Sequence, residues 1–222
     1  IYGGWESNFA GDTAGERPTL TQLGIATYVA PAACRSVKPP KLTFDDVKRG
    51  KLSTRVETAD QFVDDIVATA KVRGTPLAKR AADVLATWDR EAEVTSDGML
   101  LFYKFMTAAG PNFSAIGGFK VPTDDKRPLD TPRGFKDPAK AMAVLDTVAA
   151  EVEKEYGALA VKWGDVLRFR RGATDLPGNG APSQLGAIRT IGVSPFKDGK
   201  VEAVQGDTFY AVIEFSTPQR GE

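Results

Sequence analysis

The sequence predicts an α+β protein in which helices come first and antiparallel strands follow. Between residues 43 and 157, apolar side chains recur every three or four positions, which is the period of a helix. After Gly157 they recur every second position, as in a strand with one buried face. Hydrophobic residues make up 42% of the 222 residues and charged residues 26%, which is typical of a chain with a packed core. Segregated rather than alternating elements indicate the α+β class.

The first two regions are divided at residue 42. Residues 1–42 are rich in glycine, threonine and proline, so we expect an extended segment with a short strand at 24–30. Residues 43–157 should be helical, because a capping side chain or a proline precedes each apolar stripe. The predicted starts are Thr43, the capping box Thr58–Gln61, Thr75–Pro76, Asp97–Gly98 and Asp137–Pro138. The stripes expected to be buried are Phe62, Val63, Ile66, Val67 and Ala70, then Leu77, Ala81, Val84, Leu85 and Trp88, and finally Ala141, Val144, Leu145, Val148 and Val152.

Two stretches of the helical region depart from this pattern. Residues 99–106 are apolar on nearly all sides, so their helix should be buried from several directions, by its own chain or by a partner. Residues 110–135 are rich in glycine, proline and aspartate. We expect a long connector there, either a functional loop or one wrapped on another surface.

The last region, 158–222, should form antiparallel strands. Asp198–Gly199 is a hairpin-turn signal between two apolar runs, and Leu176–Gly180 has the composition of a turn. The predicted strands are Val166–Arg170, Ala187–Val193, Val201–Val204 and Thr208–Phe215.

The residue types that are missing exclude several chemistries. With no histidine, the chain alone builds no Ser-His-Asp triad, no Cys-His dyad and no His-ligated zinc site. The single cysteine, Cys34, forms no internal disulfide and should be an inert small side chain. The 29 basic residues equal the 29 acidic ones, which argues against nucleic acid as a partner. No apolar run is long enough to span a membrane.

Four groups of residues are candidate sites, and each also has a structural interpretation. Gly178–Gly180 with Gly186 could hold a phosphate, but the Walker lysine spacing is missing, which favours a turn. Arg168, Arg170 and Arg171 could bind a carboxylate substrate, whereas pairing within the protein is favoured. The acidic pairs Asp64–Asp65 and Asp124–Asp125 could bind calcium, but they lack an EF-hand pattern, which favours solvated surface acids. Trp88 and Trp163 fit a core better than a ligand platform.

Both ends of the sequence read as cuts. It begins with Ile1, the first residues lack a signal-peptide pattern, and the end follows directly on a predicted strand. We therefore expect either a trimmed domain or an internal piece of a longer polypeptide.

A series of short motifs in fixed order spans the chain. In the distal half they are Tyr156–Gly157, Trp163–Val166, Asp175–Gly180, Leu185–Arg189 and Gly206–Phe209. Upstream stand Arg17–Gly24, Leu42–Thr43 and Leu85–Arg90. Together they resemble the distal β chain of the penicillin acylase family of N-terminal nucleophile hydrolases, in the branch of acyl-homoserine-lactone and aculeacin-type acylases.

The resemblance implies that residues 1–222 are part of the β chain of an αββα sandwich. In that family the N-terminal serine of the β chain is the nucleophile and its own α-amino group is the base, which requires no histidine. That serine and the asparagine of the oxyanion hole would both precede Ile1, so we assign no catalytic residue in this chain beyond Arg17, matched to an arginine near the active-site asparagine. Glu6 is the matched acid for a structural calcium ion in the full-length protein, and no cofactor is required.

The leading hypothesis is a segment of an amidohydrolase that cleaves an acyl group from an N-acyl-homoserine lactone, a lipopeptide or a β-lactam. Its partners would be the α chain and the remainder of the β chain, its substrate an acylated small molecule or lipopeptide, and its location the periplasm or the medium. The isolated chain would be inactive. The alternative is a non-catalytic interaction module that folds alone and binds a partner through the apolar helix 99–106.

Overall fold

The computed structural model describes residues 43–124, 126–127, 130–206 and 211–212. The strand predicted at 24–30 lies outside these residues, as does most of the strand predicted at 208–215. The chain divides into two compact units. One comprises 1–53 with 207–222, and the other is Thr54–Gly206.

The described part of the first unit is helix α1, Phe44–Leu52. Thr43 caps it as predicted: the amide of Asp46 donates to the Thr43 hydroxyl, and the amide of Thr43 donates to the Asp46 carboxylate. This reciprocal capping box pairs two amide groups that the helix itself leaves unpaired.

The second unit consists of helices and two small sheets. Its helices are α2 Glu57–Arg73, α3 Pro76–Thr87, α4 Met99–Ala109, α5 Pro138–Tyr156 and the single turn α6 Trp163–Val166. Its strands are β1 Phe119–Val121, β2 Arg133–Phe135, β3 Leu167–Arg171, β4 Thr174–Pro177, β5 Ile191–Val193 and β6 Val201–Gly206. Short 3-10 turns cover Pro111–Ile116 and Ser183–Leu185. The α+β class is therefore confirmed.

Three helices of the second unit start where the sequence predicts, two of them with a side-chain cap. Thr75 caps α3 with Pro76 in its first turn, and Asp137 caps α5, which ends at Gly157. The helix starting after Asp97–Gly98 is α4. The predicted capping box at Thr58–Gln61 is wrong: α2 begins at Glu57 without a side-chain cap, and the Thr58 hydroxyl donates to the Leu185 carbonyl 3.0 Å away.

One core holds the second unit together, and the predicted stripes supply much of it. Most stripe residues are buried, whereas Val67, Leu77 and Val84 on α2 and α3 and Val144 on α5 are half-buried at its margin. The largest fully buried side chains include Trp163, Phe102, Phe105, Ile66 and Leu85.

The apolar helix 99–106 is α4, and its own chain covers it. Met99, Leu100, Leu101 and Phe102 are 0% exposed, and Phe105 is 1% exposed. Its remaining residues up to Met106 are half-buried. An interaction module that binds a partner through this helix would need the helix to be exposed. The helix is buried by its own chain instead, which argues against that alternative.

The connector 110–135 has more structure than the sequence indicated. The 3-10 turn is followed by β1 and β2, which pair antiparallel with Phe119 opposite Phe135. The pair packs on α2, because the rings of Phe119 and Phe62 stack with centroids 5.0 Å apart. The Gly134 amide also donates to the Asp65 carboxylate at 2.7 Å. Of the two expectations for the connector, a functional loop or one wrapped on another surface, the contacts with α2 agree with the second. The surface that the connector covers belongs to this chain.

The distal strands form a mixed sheet in the order β4-β3-β6-β5. The pairs β3–β4 and β5–β6 are antiparallel as expected, but β3 and β6 run parallel, with Leu167 opposite Val201. Leu176 and Pro177 belong to β4. Of the turn predicted at Leu176–Gly180, only the second half therefore lies outside a strand. Likewise, only Ile191–Val193 of the predicted strand Ala187–Val193 is a strand.

Candidate functional site

The residues matched to catalysis and metal binding are not among those the structure describes. Arg17 and Glu6 lie within 1–42, so their roles remain the predictions made from the resemblance. Cys34 lies in the same range, and its interpretation as an inert side chain remains a prediction from the sequence alone. The described residues bring polar side chains together at several places in the second unit, and three of these places join four or more side chains.

The first is a chain of side chains centred on Thr54, whose residue is 1% exposed. Its hydroxyl oxygen lies 2.9 Å from a carboxylate oxygen of Glu91 and 2.8 Å from one of Glu93. A hydroxyl has one proton to donate, so Thr54 donates to one of the two carboxylates or shares the proton between them in a three-centre hydrogen bond.

Burial acts on one of these two carboxyl groups. Removal from water raises the pKa of the Glu91 carboxyl, with Asp89 and Glu93 adding repulsion, while Thr54 and Arg55 act in the opposite direction. Arg55 also pairs with Glu91 at 3.8 Å, which joins this chain of side chains to the arginine on the neighbouring segment.

Glu93 connects this chain to the loop Gly178–Gly180. The Asn179 amide nitrogen lies 3.4 Å from the second oxygen of Glu93, and Arg189 donates to the Asn179 oxygen at 3.2 Å. Thr54, Glu91, Glu93, Asn179 and Arg189 therefore form one polar network across three segments of the chain.

The loop Gly178–Gly180 uses its backbone donors within the protein. The Gly178 amide donates to the Leu167 carbonyl at 2.7 Å, and the Gly180 amide donates to the Ala92 carbonyl at 2.8 Å. A phosphate cradle needs free amides that converge on the anion. These two amides are already paired within the protein, so the loop does not offer them to a phosphate.

The second place is an arginine–carboxylate cluster at the start of α2. Arg55 holds Asp60 with two hydrogen bonds, of 2.9 and 2.6 Å, and Arg90 reaches both Asp60 and Asp64. Arg90 has a φ of 65°, in the left-handed region. Since Asp64 is neutralised by Arg90 and Asp65 accepts from the Gly134 amide, this acidic pair is occupied by protein donors rather than poised for calcium.

The third place is a ladder of charges on the mixed sheet. Asp175 accepts from Arg168 at 2.7 Å and pairs with Arg170 at 3.0 Å, and Arg170 also pairs with Glu202 at 3.0 Å. The hydrogen bond from Arg168 and then that from Arg170 lower the pKa of the Asp175 carboxyl. Two of the three distal arginines are thus paired within the protein, as expected, while Arg171 lies exposed at the strand end.

The remaining candidates have structural places. Trp163 is fully buried and Trp88 nearly so, each with its indole nitrogen bonded to a backbone carbonyl. Asp124 accepts from the Lys126 amide in a turn. Its neighbour, residue 125, lies outside the described residues. Within the described ranges, no three acidic or cysteine side chains are grouped to hold a metal ion. None of the described helices has the length and apolarity to cross a membrane.

A shallow open depression of about 430 Å³ lies between the end of α4, the first 3-10 turn and α5. Five of its six lining residues are alanine, valine or threonine, with Lys140 as the single charged one. It lacks the several convergent polar groups expected of a small-molecule site.

Sequence reasoning missed the network around Thr54. The alternation Glu91-Ala92-Glu93, with Ala92 fully buried, places both carboxylates on the same side of an extended segment. That alternation was the available signal, but the segment 54–56 that it faces is 37 residues earlier in the chain.

Comparison with known proteins gives a consistent family. The sequence model of the penicillin amidase family matches residues 27–222. The acyl-homoserine lactone acylases PvdQ of Pseudomonas fluorescens strains Pf0-1 and Pf-5 and of Pseudomonas syringae pv. syringae strain B728a are each 27% identical to this chain over 95% of its length. The chain spans only 28% of the length of each of these relatives.

Proposed function

This chain belongs to the penicillin amidase family, and we propose that it is a segment of an amidohydrolase that removes an acyl group from an amide. The observation that carries the proposal is the family match over residues 27–222, together with similarity to acyl-homoserine lactone acylases along 95% of the chain. The lack of histidine agrees with a mechanism that needs none.

In the proposed mechanism the nucleophile is the N-terminal serine of the β chain, outside these 222 residues. Its α-amino group takes the hydroxyl proton as the oxygen attacks the amide carbonyl, and passes that proton to the departing amine. A backbone amide and an asparagine side chain stabilise the tetrahedral oxyanion. Water then attacks the acyl-enzyme ester, which releases the carboxylic acid and restores the serine hydroxyl.

The proposed substrate class is an N-acyl-homoserine lactone, because the similar proteins named above are acylases of that substrate. A lipopeptide and an acylated β-lactam are the other substrates in which the same bond is cleaved. The parent enzyme would need no cofactor, carry at most a structural calcium ion, and act in the periplasm or outside the cell.

The role proposed for this segment is that of a scaffold. Its described polar side chains pair with one another, and the described acidic residues form no metal-binding group. The α chain and the remainder of the β chain would supply the reacting groups and most of the substrate pocket.

The experiment uses the full-length parent protein. We expect the purified protein to release homoserine lactone from long-chain N-acyl-homoserine lactones, and the variant with alanine in place of the N-terminal serine of the β chain to release none. The 222-residue chain alone should be inactive. Hydrolysis by the 222-residue chain, or by the serine variant, would overturn the mechanism, and hydrolysis of only lipopeptide or β-lactam amides would overturn the substrate class.

A further inference from the structure

One end of the mixed sheet is exposed on both faces. In β3 and β6 the first residues, Leu167 and Val201, are 0% exposed, whereas the last residues of both strands are exposed. All four residues of β4 are exposed. We call this part of β3, β4 and β6 the projecting end. A small sheet that is covered on neither face is only marginally stable in water. The described residues therefore leave the projecting end without the packing that would stabilise it.

The face of the projecting end that continues from the core is apolar at Phe169 and Leu176 and ends at the exposed Arg171. Strand alternation puts Phe169 on the same face as the buried Leu167, and the register places Leu176 directly opposite Phe169. Phe169 is half-buried, and Leu176 is 55% exposed. The hydrophobic surface of the core thus continues past the last point at which the described residues cover it.

The other face carries charges that cancel. Arg168, Arg170, Asp175 and Glu202 form the ladder described above, with two positive and two negative side chains. A surface neutralised by its own ion pairs does not attract a polyanion or an anionic membrane. It is compatible with an uncharged stretch of protein.

The outer edge of β4 is unsuited to pairing with another strand. In an antiparallel strand every second residue directs its backbone groups towards the same neighbouring strand. The Gly178 amide bonds to Leu167 in β3, so Leu176 and Thr174, two and four residues earlier, also direct their backbone groups towards β3. Asp175 and Pro177 therefore face outwards. Proline has no amide hydrogen, and the Asp175 carbonyl already accepts from Arg168 at 3.3 Å. These two features protect the edge, so cover must come over the face.

We propose that the apolar face at Phe169 and Leu176 is the docking surface for a segment of the parent polypeptide that lies outside these 222 residues. The inference rests on the proposed function, in which this chain is one segment of a longer enzyme. The relatives support this occupant, because the chain matches only 28% of their length, which leaves about two and a half times as much polypeptide to cover it. The segment should contribute apolar side chains to Leu176 without adding a strand to β4.

The test is photo-crosslinking in the full-length protein. Benzoylphenylalanine is placed at position 176 or at position 72, where Val72 is 79% exposed on α2. We expect position 176 to crosslink to a peptide from outside the 222 residues, and position 72 to give at most a weak, scattered product. Crosslinks from position 176 only to peptides within these 222 residues, or none above the level of position 72, would overturn the proposal.

A second measurement is the melting temperature of the full-length protein. Leu176→Asp should lower it by several degrees because a charge would be buried against the docked segment, whereas Val72→Asp should leave it nearly unchanged. Equal melting temperatures for the two variants would contradict the docking. Neither readout depends on activity, so a protein that crosslinks as expected but hydrolyses no acyl amide would overturn the proposed function alone.

Discussion

The indole nitrogen of Trp163 donates a 2.9 Å hydrogen bond to the carbonyl oxygen of Gly180, and both groups are buried. The Trp163 amide bonds to the Ser96 carbonyl, and the Gly180 amide bonds to the Ala92 carbonyl. One tryptophan therefore fixes α6, the extended segment 92–96 and the glycine loop relative to one another. This arrangement holds Asn179 beside Glu93.

Trp163→Phe tests that relationship. Phenylalanine keeps an aromatic ring in the core but leaves the Gly180 carbonyl without its donor. A buried carbonyl without a partner costs about 1–3 kcal/mol, and we expect the free energy of unfolding to fall by at least that amount in urea denaturation. Val72→Ala, at an exposed position, should change it by less than about 0.5 kcal/mol. A Trp163→Phe variant as stable as the parent would show that the hydrogen bond contributes nothing.

Much of the helical half could be predicted because its signals are local. Thr75–Pro76 and Asp137–Pro138 start helices through contacts within three or four residues, and Gly157 ends α5 with a φ of 74°. Thr58 has the same local signal, but its hydroxyl is taken by Leu185, 127 residues later. A sequence pattern contains no information about such a competing partner.

The sheets and the polar network show the same limit. Alternation in Val201–Val204 predicts a strand but not its neighbour, so the parallel pairing with β3 was not foreseen. Strands β1 and β2 have three residues each, too few for a period to be visible. Thr54 meets Glu91 and Glu93 only after folding, and a lone threonine has no sequence signature that marks it as the centre of a buried polar network.

Asp175→Asn should destabilise the chain at neutral pH. Its carboxylate accepts from Arg168 and Arg170, which holds the pKa of Asp175 below its ordinary value of 3.8. A lowered pKa in the folded state gives stability that is present above 3.8 and is lost as the pH falls through the folded pKa. In urea denaturation from pH 7 to pH 2, the difference in the free energy of unfolding between the unmutated protein and the variant should therefore shrink. Asp83→Asn, on the exposed face of α3, is the control, and a difference that widens towards acid would contradict the pairing.

Gly199→Ala tests the hairpin turn between β5 and β6. Asp198 and Gly199 have φ of 50° and 70°, the positive values that a type I′ turn requires at both central residues. A methyl group on Gly199 would meet Tyr156 only at 3.4 Å, so the cost is mainly backbone strain, about 1–2 kcal/mol. Urea denaturation should show that loss, while Asp198→Asn, which tolerates a positive φ, should be nearly neutral. Equal losses in both variants would point to a different turn.

Glu91→Gln should remove a pH dependence of stability. Burial raises the pKa of Glu91 above its ordinary value of 4.5, so the folded state holds this proton more tightly than the unfolded chain. The stability that it contributes is complete below pH 4.5 and is lost as the pH rises through the folded pKa. Glutamine stays neutral at every pH, so in urea denaturation the free energy of unfolding of the variant should rise relative to that of the unmutated protein as the pH increases from 4.5 through the folded pKa. Asp83→Asn is the control at an exposed position. A Glu91→Gln variant whose free energy of unfolding falls relative to that of the unmutated protein as the pH rises would mean that folding does not raise the pKa of Glu91.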